Sequence, residues 1–174
     1  VEGMRLGRDL FDPIVTLYKP DGSKLIASDD TALFLQDPAT SVMAPVDGTY
    51  YIKLEEAPYE RNRDAIYRMH IGTFPRPLAV YPAGGKAGEK LTVKFIGDAA
   101  GDFTQEVVLP GAPDDKFPLV AQQNGQTAPS PNWLRSSPFG NVNEVEPNNE
   151  RVKASGASQE APIAFNGIID KNGD

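Results

Sequence analysis

Glu144, Glu146, Asn148 and Asn149 set four oxygen-bearing side chains within six residues, with Pro147 stiffening the middle, and Asp170 and Asp174 follow one strand signal later. Hard oxygen donors at that density suit Ca²⁺, which takes about six to eight oxygen ligands at ~2.3–2.6 Å. The competing reading is a solvated linker whose asparagines start a turn. A second set of carboxylates, Asp29 and Asp30 with Asp12, Asp21 and Asp47, would resist joint ionisation in one pocket unless a cation came between them. Each stands beside a turn signal, so capping of local backbone N–H groups is the simpler expectation.

Catalysis finds little material. A nucleophilic triad needs a base, and the sole His70 lies in a strand pattern between Met69 and Ile71, where a side chain on a strand face is expected. The 24 acids could supply carboxylates for glycoside hydrolysis, yet no spacing singles out a pair. Gly84-Gly85 and Gly88 lack the Lys-Ser/Thr that completes a phosphate loop. One His and no Cys exclude a zinc site and a disulfide framework. The expectation is a chain with no catalytic residues, not an enzyme. Binding then falls to aromatic rings, which stack on sugars or anchor peptides when exposed. Tyr59, in the polar loop 55–64, is the candidate ligand contact. Trp133, in a Pro/Ser-rich stretch, is expected to pack the last strand of its module.

The elements that must position these residues read as strands. Residues 14–18 and 24–27 flank Pro20-Asp21-Gly22, a hairpin turn in which Pro presets one angle and Gly tolerates positive φ. Strands are also expected at 41–44, 49–54 and 65–71, with Tyr50, Ile52 and Leu54 alternating against Tyr51, Lys53 and Glu55 to give one buried face. No helical period is sustained over three turns. Phe74-Pro75-Arg76-Pro77 interrupts any ladder and marks a boundary. Beyond it, residues 78–81, 91–96, 103–109, 117–121 and 132–136 make a second set, joined by Pro82-Ala83-Gly84-Gly85 and by the loop 97–102. A sandwich of that size buries only ~60% of its unfolded surface and should lean on a neighbour. A third unit, residues 144–174, holds six acids and three bases, and closes on a strand signal at 163–169.

Seventeen Lys+Arg against 24 Asp+Glu give the 174 residues a net charge of −7 with no basic cluster, which excludes nucleic acid as a partner. No apolar run approaches the ~20 residues of a membrane-spanning helix, so a soluble chain with no membrane span is expected. The sequence opens on strand-like Val1-Glu2-Gly3 without a signal-peptide pattern, and an export signal lost by truncation fits as well as one that never existed. Sixteen Gly and sixteen Pro call for many turns and hence β structure.

The run from Leu10-Phe11-Asp12-Pro13 to Tyr18, with Pro20-Asp21-Gly22, Ser28-Asp29-Asp30, residues 44–51 and residues 67–71, resembles the second half of a bacterial pre-peptidase C-terminal domain. Residues 144–149, then Asn166 to Asp170 and Gly173-Asp174, resemble the opening of another copy. Residues 80–89 resemble β-sandwich spacers between such repeats. The resemblance implies an all-β chain of antiparallel β-sandwiches: a jelly-roll-like partial domain over 1–75, an immunoglobulin-like spacer over 76–141, and the first part of a second copy over 142–174. In collagen-binding relatives of the family the linker stretch with a downstream Asp is a calcium site. The implied ligands here are Glu144, Glu146, Asn148, Asn149, Asp170 and Asp174, with Asn149 standing where those calcium binders carry Asp. Head and tail, as complementary halves, could associate within or between chains as a permuted sandwich, although a missing central strand would leave edge groups unpaired.

The function this implies is a non-catalytic accessory, adhesion or spacer module of a secreted or cell-surface bacterial multidomain protein, stabilised by Ca²⁺. Its setting is extracellular, at the cell surface or periplasmic. Its partners are an extracellular protein or polysaccharide surface, or neighbouring domains of the parent chain. The alternative is a calcium-dependent carbohydrate- or collagen-binding module that targets an attached hydrolase.

Overall fold

A computed structural model describes residues 1–3, 11–31, 34, 37–57, 65–156 and 160–169. The described chain is almost wholly β, with thirteen strands and one short 3-10 turn at Arg151–Lys153. The pairing is antiparallel except at two places, noted below.

The hairpin read from the sequence forms as β1 (Pro13–Tyr18) and β2 (Lys24–Ser28), antiparallel with Val15 opposite Ser28. Gly22 closes its turn at φ +81°, in the left-handed region that a glycine enters without steric cost. The Asp21 carboxylate caps the same turn, accepting from the Ser23 amide at 2.8 Å and hydroxyl at 2.7 Å. β3 (Tyr51–Glu56) pairs along the other side of β1, giving the order β2-β1-β3.

Two expectations fail in this sheet. The buried face expected of residues 50–55 is only half formed: Leu54 is partly covered, but Ile52 is exposed. Among the described residues β3 is an edge strand with a neighbour on one side only. The strands expected at 41–44 and 65–71 do not form either. Residues 38–44 and 65–71 run without a turn or bend, but among the described residues their only bridge joins Arg68 to Glu2. Side-chain alternation favours an open backbone, and a ladder additionally needs a neighbouring strand.

The central unit is a two-layer sandwich. One sheet is β4 (Ala79–Tyr81), β6 (Lys90–Ile96) and β7 (Phe103–Val108) in the order β4-β6-β7. The other is β5 (Gly84–Lys86), β11 (Asn132–Ser137) and β8 (Asp114–Leu119) in the order β5-β11-β8. Val80, Val93, Phe95, Leu109, Leu119 and Leu134 fill the space between them, and the Phe95 and Phe103 rings stack with centroids 5.0 Å apart. A small hairpin of β9 (Gln122–Gln123) and β10 (Gln126–Thr127) turns at Asn124 and Gly125, whose two successive positive φ values meet the need of a two-residue type I′ loop.

β5 occupies what the sequence suggested was a connector, and it lies parallel to β11. A Cβ on Gly84 would run into the Arg135 carbonyl, so the close approach requires glycine. Trp133 corrects its expectation: Asn132, Leu134 and Ser136 point into the core, and the two-residue period turns Trp133 outward, 44% exposed. After the sandwich, β12 (Gly140–Asn143) pairs parallel with β13 (Ile163–Asn166). The tail strand therefore docks on the stretch that follows the sandwich and not on the head sheet.

Candidate functional site

The linker set gathers around Glu144, immediately after β12. Its amide donates to the Asn166 carbonyl at 2.9 Å and extends the parallel ladder by one rung. One carboxylate oxygen accepts from the Ile168 amide, and the other from the Asn148 side-chain amide at 3.2 Å. The Asn148 amide donates to Glu146 at 2.9 Å, and the Val145 amide donates to the Ser155 hydroxyl at 2.9 Å. Gly167 leaves room for the Glu144 carboxylate, which a Cβ there would strike. The Tyr81 hydroxyl donates to the Asn166 carbonyl at 3.3 Å. Burial, and then the Glu144 charge, hold the Tyr81 phenol above its usual pKa.

Glu144, Glu146 and Asn148 are thus brought together as one turn network, and Asn149 adjoins it in the chain. Two carboxylates and two amide side chains carry at most six oxygens, and both Glu144 oxygens already accept amide hydrogens, so the set as folded falls short of the about six to eight that calcium takes. Their chemistry suits that ion, and further donors would have to come from Asp170 and Asp174. Both lie outside the described residues, as does Tyr59.

A second cluster sits at the open end of the β1–β2 hairpin. Asp12, Asp29 and Asp30 each offer an oxygen within 4.8 Å of the others. Asp12 Oδ1 is buried and has no hydrogen-bond partner among the described residues. Burial, and then Asp30, Asp29 and Glu56, push the Asp12 carboxyl above the ordinary carboxylate range. Turn capping, the simpler expectation, holds for Asp21, while Asp12, Asp29 and Asp30 face one another. The signal was the hairpin register: with Val15 opposite Ser28, the residues before β1 must lie beside those after β2.

The third feature is a cleft of about 320 Å³ where the head meets the sandwich. Leu17 and Ile52, register partners on β1 and β3, line it together with Val42, Met43, Met69 and Ile71. His70 also lines it, but not from a strand face: its Nε2 lies 3.7 Å from Glu2 Oε1. The Arg76 guanidinium, at the sandwich side, lies 4.3 Å above the Phe34 ring and donates to the Ser130 hydroxyl at 3.0 Å. No spacing in the sequence announces this cleft, because its walls come from segments as far apart as Val1 and Ser130. Compared with family models, with curated proteins and with solved structures, the chain matches none.

Proposed function

We propose that the chain is a non-catalytic spacer module that holds neighbouring parts of a secreted or cell-surface bacterial protein in fixed relation, for adhesion or for presenting a substrate. This reading keeps to the resemblance to pre-peptidase C-terminal repeats. The observation that carries it is the stitching at both ends of the central sandwich. At the head junction the Arg76 amide donates to Asp98, the Ala99 amide donates to the Ser41 hydroxyl at 2.7 Å, and Thr73 bonds Gln126. At the tail junction the Tyr81 hydroxyl, on β4 of the sandwich, donates to the Asn166 carbonyl at 3.3 Å, and Glu144 fixes that strand through Asn166 and Ile168. Hydrogen bonds across a junction restrict the hinge motion that is otherwise the default between such units. Calcium held by Glu144, Glu146, Asn148 and Asn149, with Asp170 and Asp174, would cross-link the tail junction further.

The chain has no Cys, so spin labels at Ser23→Cys and Val152→Cys report one distance. Pulsed EPR in Ca²⁺ should give a narrow distribution that broadens with chelator or with Glu144→Gln plus Glu146→Gln. A broad distribution in the otherwise unchanged chain with Ca²⁺ would overturn the spacer reading, and so would hydrolase turnover abolished by His70→Ala.

The second reading, a calcium-dependent polysaccharide- or collagen-binding module, draws on the outward rings of Tyr51 and Tyr67, 58% and 55% exposed. Retention on immobilised collagen or polysaccharide, lost with chelator and in Tyr51→Ala plus Tyr67→Ala, would favour it over the spacer.

A further inference from the structure

The head cleft is bounded by two segments with strand-like sequence and no ladder. The backbone groups of residues 41–43 and 69–72 make no hydrogen bond to other described residues, and both stretches line the cavity. Met43 and Ile71, one from each wall, are 70% exposed. Open backbone beside an apolar floor is what an added β-strand satisfies: main-chain bonds to one wall along its free edge, and alternate side chains into the cleft.

The chain itself carries such a strand. Among the described residues β13 has a partner, β12, along one edge only. Phe165 on it and Ile169 just after it are 57% and 84% exposed. The stretch 161–169 contains no charged residue. It would therefore enter the cleft without adding to the repulsion of a chain at −7. The ionic groups of the cleft already face partners, His70 near Glu2 and Asp98 on the Arg76 and Ala100 amides.

The tail does not fill the cleft of its own head. It lies on β12, with the Asn166 carbonyl bonded to the Glu144 amide and the Tyr81 hydroxyl, and none of residues 163–169 lines the cleft. We infer that the cleft receives the Ile163–Ile169 stretch of a second copy of this chain, making a head-to-tail contact. Such a contact joins unlike surfaces, so each copy keeps one free cleft and one free strand, and assembly continues to rings or open chains.

Sedimentation velocity of the full chain over a range of concentrations tests this. Species larger than a dimer should appear as concentration rises. Met43→Asp plus Ile71→Asp in the cleft should abolish association, as should Phe165→Asp plus Ile169→Asp in the donor. All four positions are exposed, and an unchanged circular dichroism melt verifies each fold. Mixing the cleft-defective with the donor-defective chain leaves one good cleft facing one good strand, so the mixture should stop at a dimer. A chain that stays monomeric at every concentration overturns the inference. A dimer that survives either pair of substitutions also overturns it, as does a monomer that takes up an unrelated apolar strand peptide while ignoring one spanning residues 160–169.

Discussion

Among the described residues Asp12, Asn132 and Asn141 carry buried polar atoms that the fold leaves unanswered, and the first two each predict a measurable gain on removal. Asp12 has a buried oxygen without a donor, in the field of Asp30, Asp29 and Glu56. Its pKa lies above the ordinary 3.8, so the native state binds the proton more tightly than the unfolded chain does. The sign follows: stability falls as pH rises from 3.8 through the raised value, and the penalty is complete above it. Asp12→Asn should therefore melt higher than the parent at pH 7, with the difference closing below pH 3.8; an equal gap at both ends of a pH series of melts would refute this cause. Asn132 is 2% exposed on the inner face of β11, and neither its Oδ1 nor its Nδ2 finds a partner. A buried unpaired amide costs about 1–3 kcal/mol, so Asn132→Leu, of similar volume, should gain roughly 1 kcal/mol in urea unfolding. A loss of that size would instead show a water bound at the amide.

At the scale of elements, the glycines of β5 separate fit from flexibility. Gly84→Ala drives a Cβ into the Arg135 carbonyl and should cost about 1–3 kcal/mol by overpacking the parallel β5–β11 contact. Gly111→Ala, with open space around it, should change the urea midpoint little. The same pair explains what was legible. β1, β2, β6, β7 and β11 could be read because apolar side chains alternate along them and turn residues bound them. β5 could not, since Gly-Gly-Lys has almost no side-chain pattern to read. Residues 41–44 and 65–71 alternate just as well, yet alternation says which face a side chain takes and nothing of whether a neighbour lies alongside. Trp133 was misplaced because size suggested burial, while Leu134 and Ser136 set the phase of the strand. Of the candidate site, the Glu144 turn was legible because its members are close in sequence. Asp12 with Asp29 and Asp30 needed the hairpin register, and the cleft needed the whole fold.

At the scale of the molecule, the two sheets of the sandwich enclose a core in which Val93 and Phe95 are fully buried, whereas β2 and β3 are largely open. Opening free energy follows buried apolar contact, so amide exchange should be slowest in β6 and β7 and faster in β2 and β3. Arg76 joins the regions: it is buried, stacks over Phe34, bonds Ser130, and donates its amide to Asp98. Removing the guanidinium forfeits a desolvated cation–π contact and a charged hydrogen bond, together about 2–4 kcal/mol. The loss should fall on the head alone, because Phe34 lies there and the sandwich core does not include Arg76. Hydrogen exchange read by mass spectrometry on Arg76→Ala should then show faster exchange across β1–β3 and unchanged exchange across β6–β7. Equal acceleration in both would mean that head and sandwich open as one cooperative unit, and the stitched junction would have to be redescribed as a continuous core.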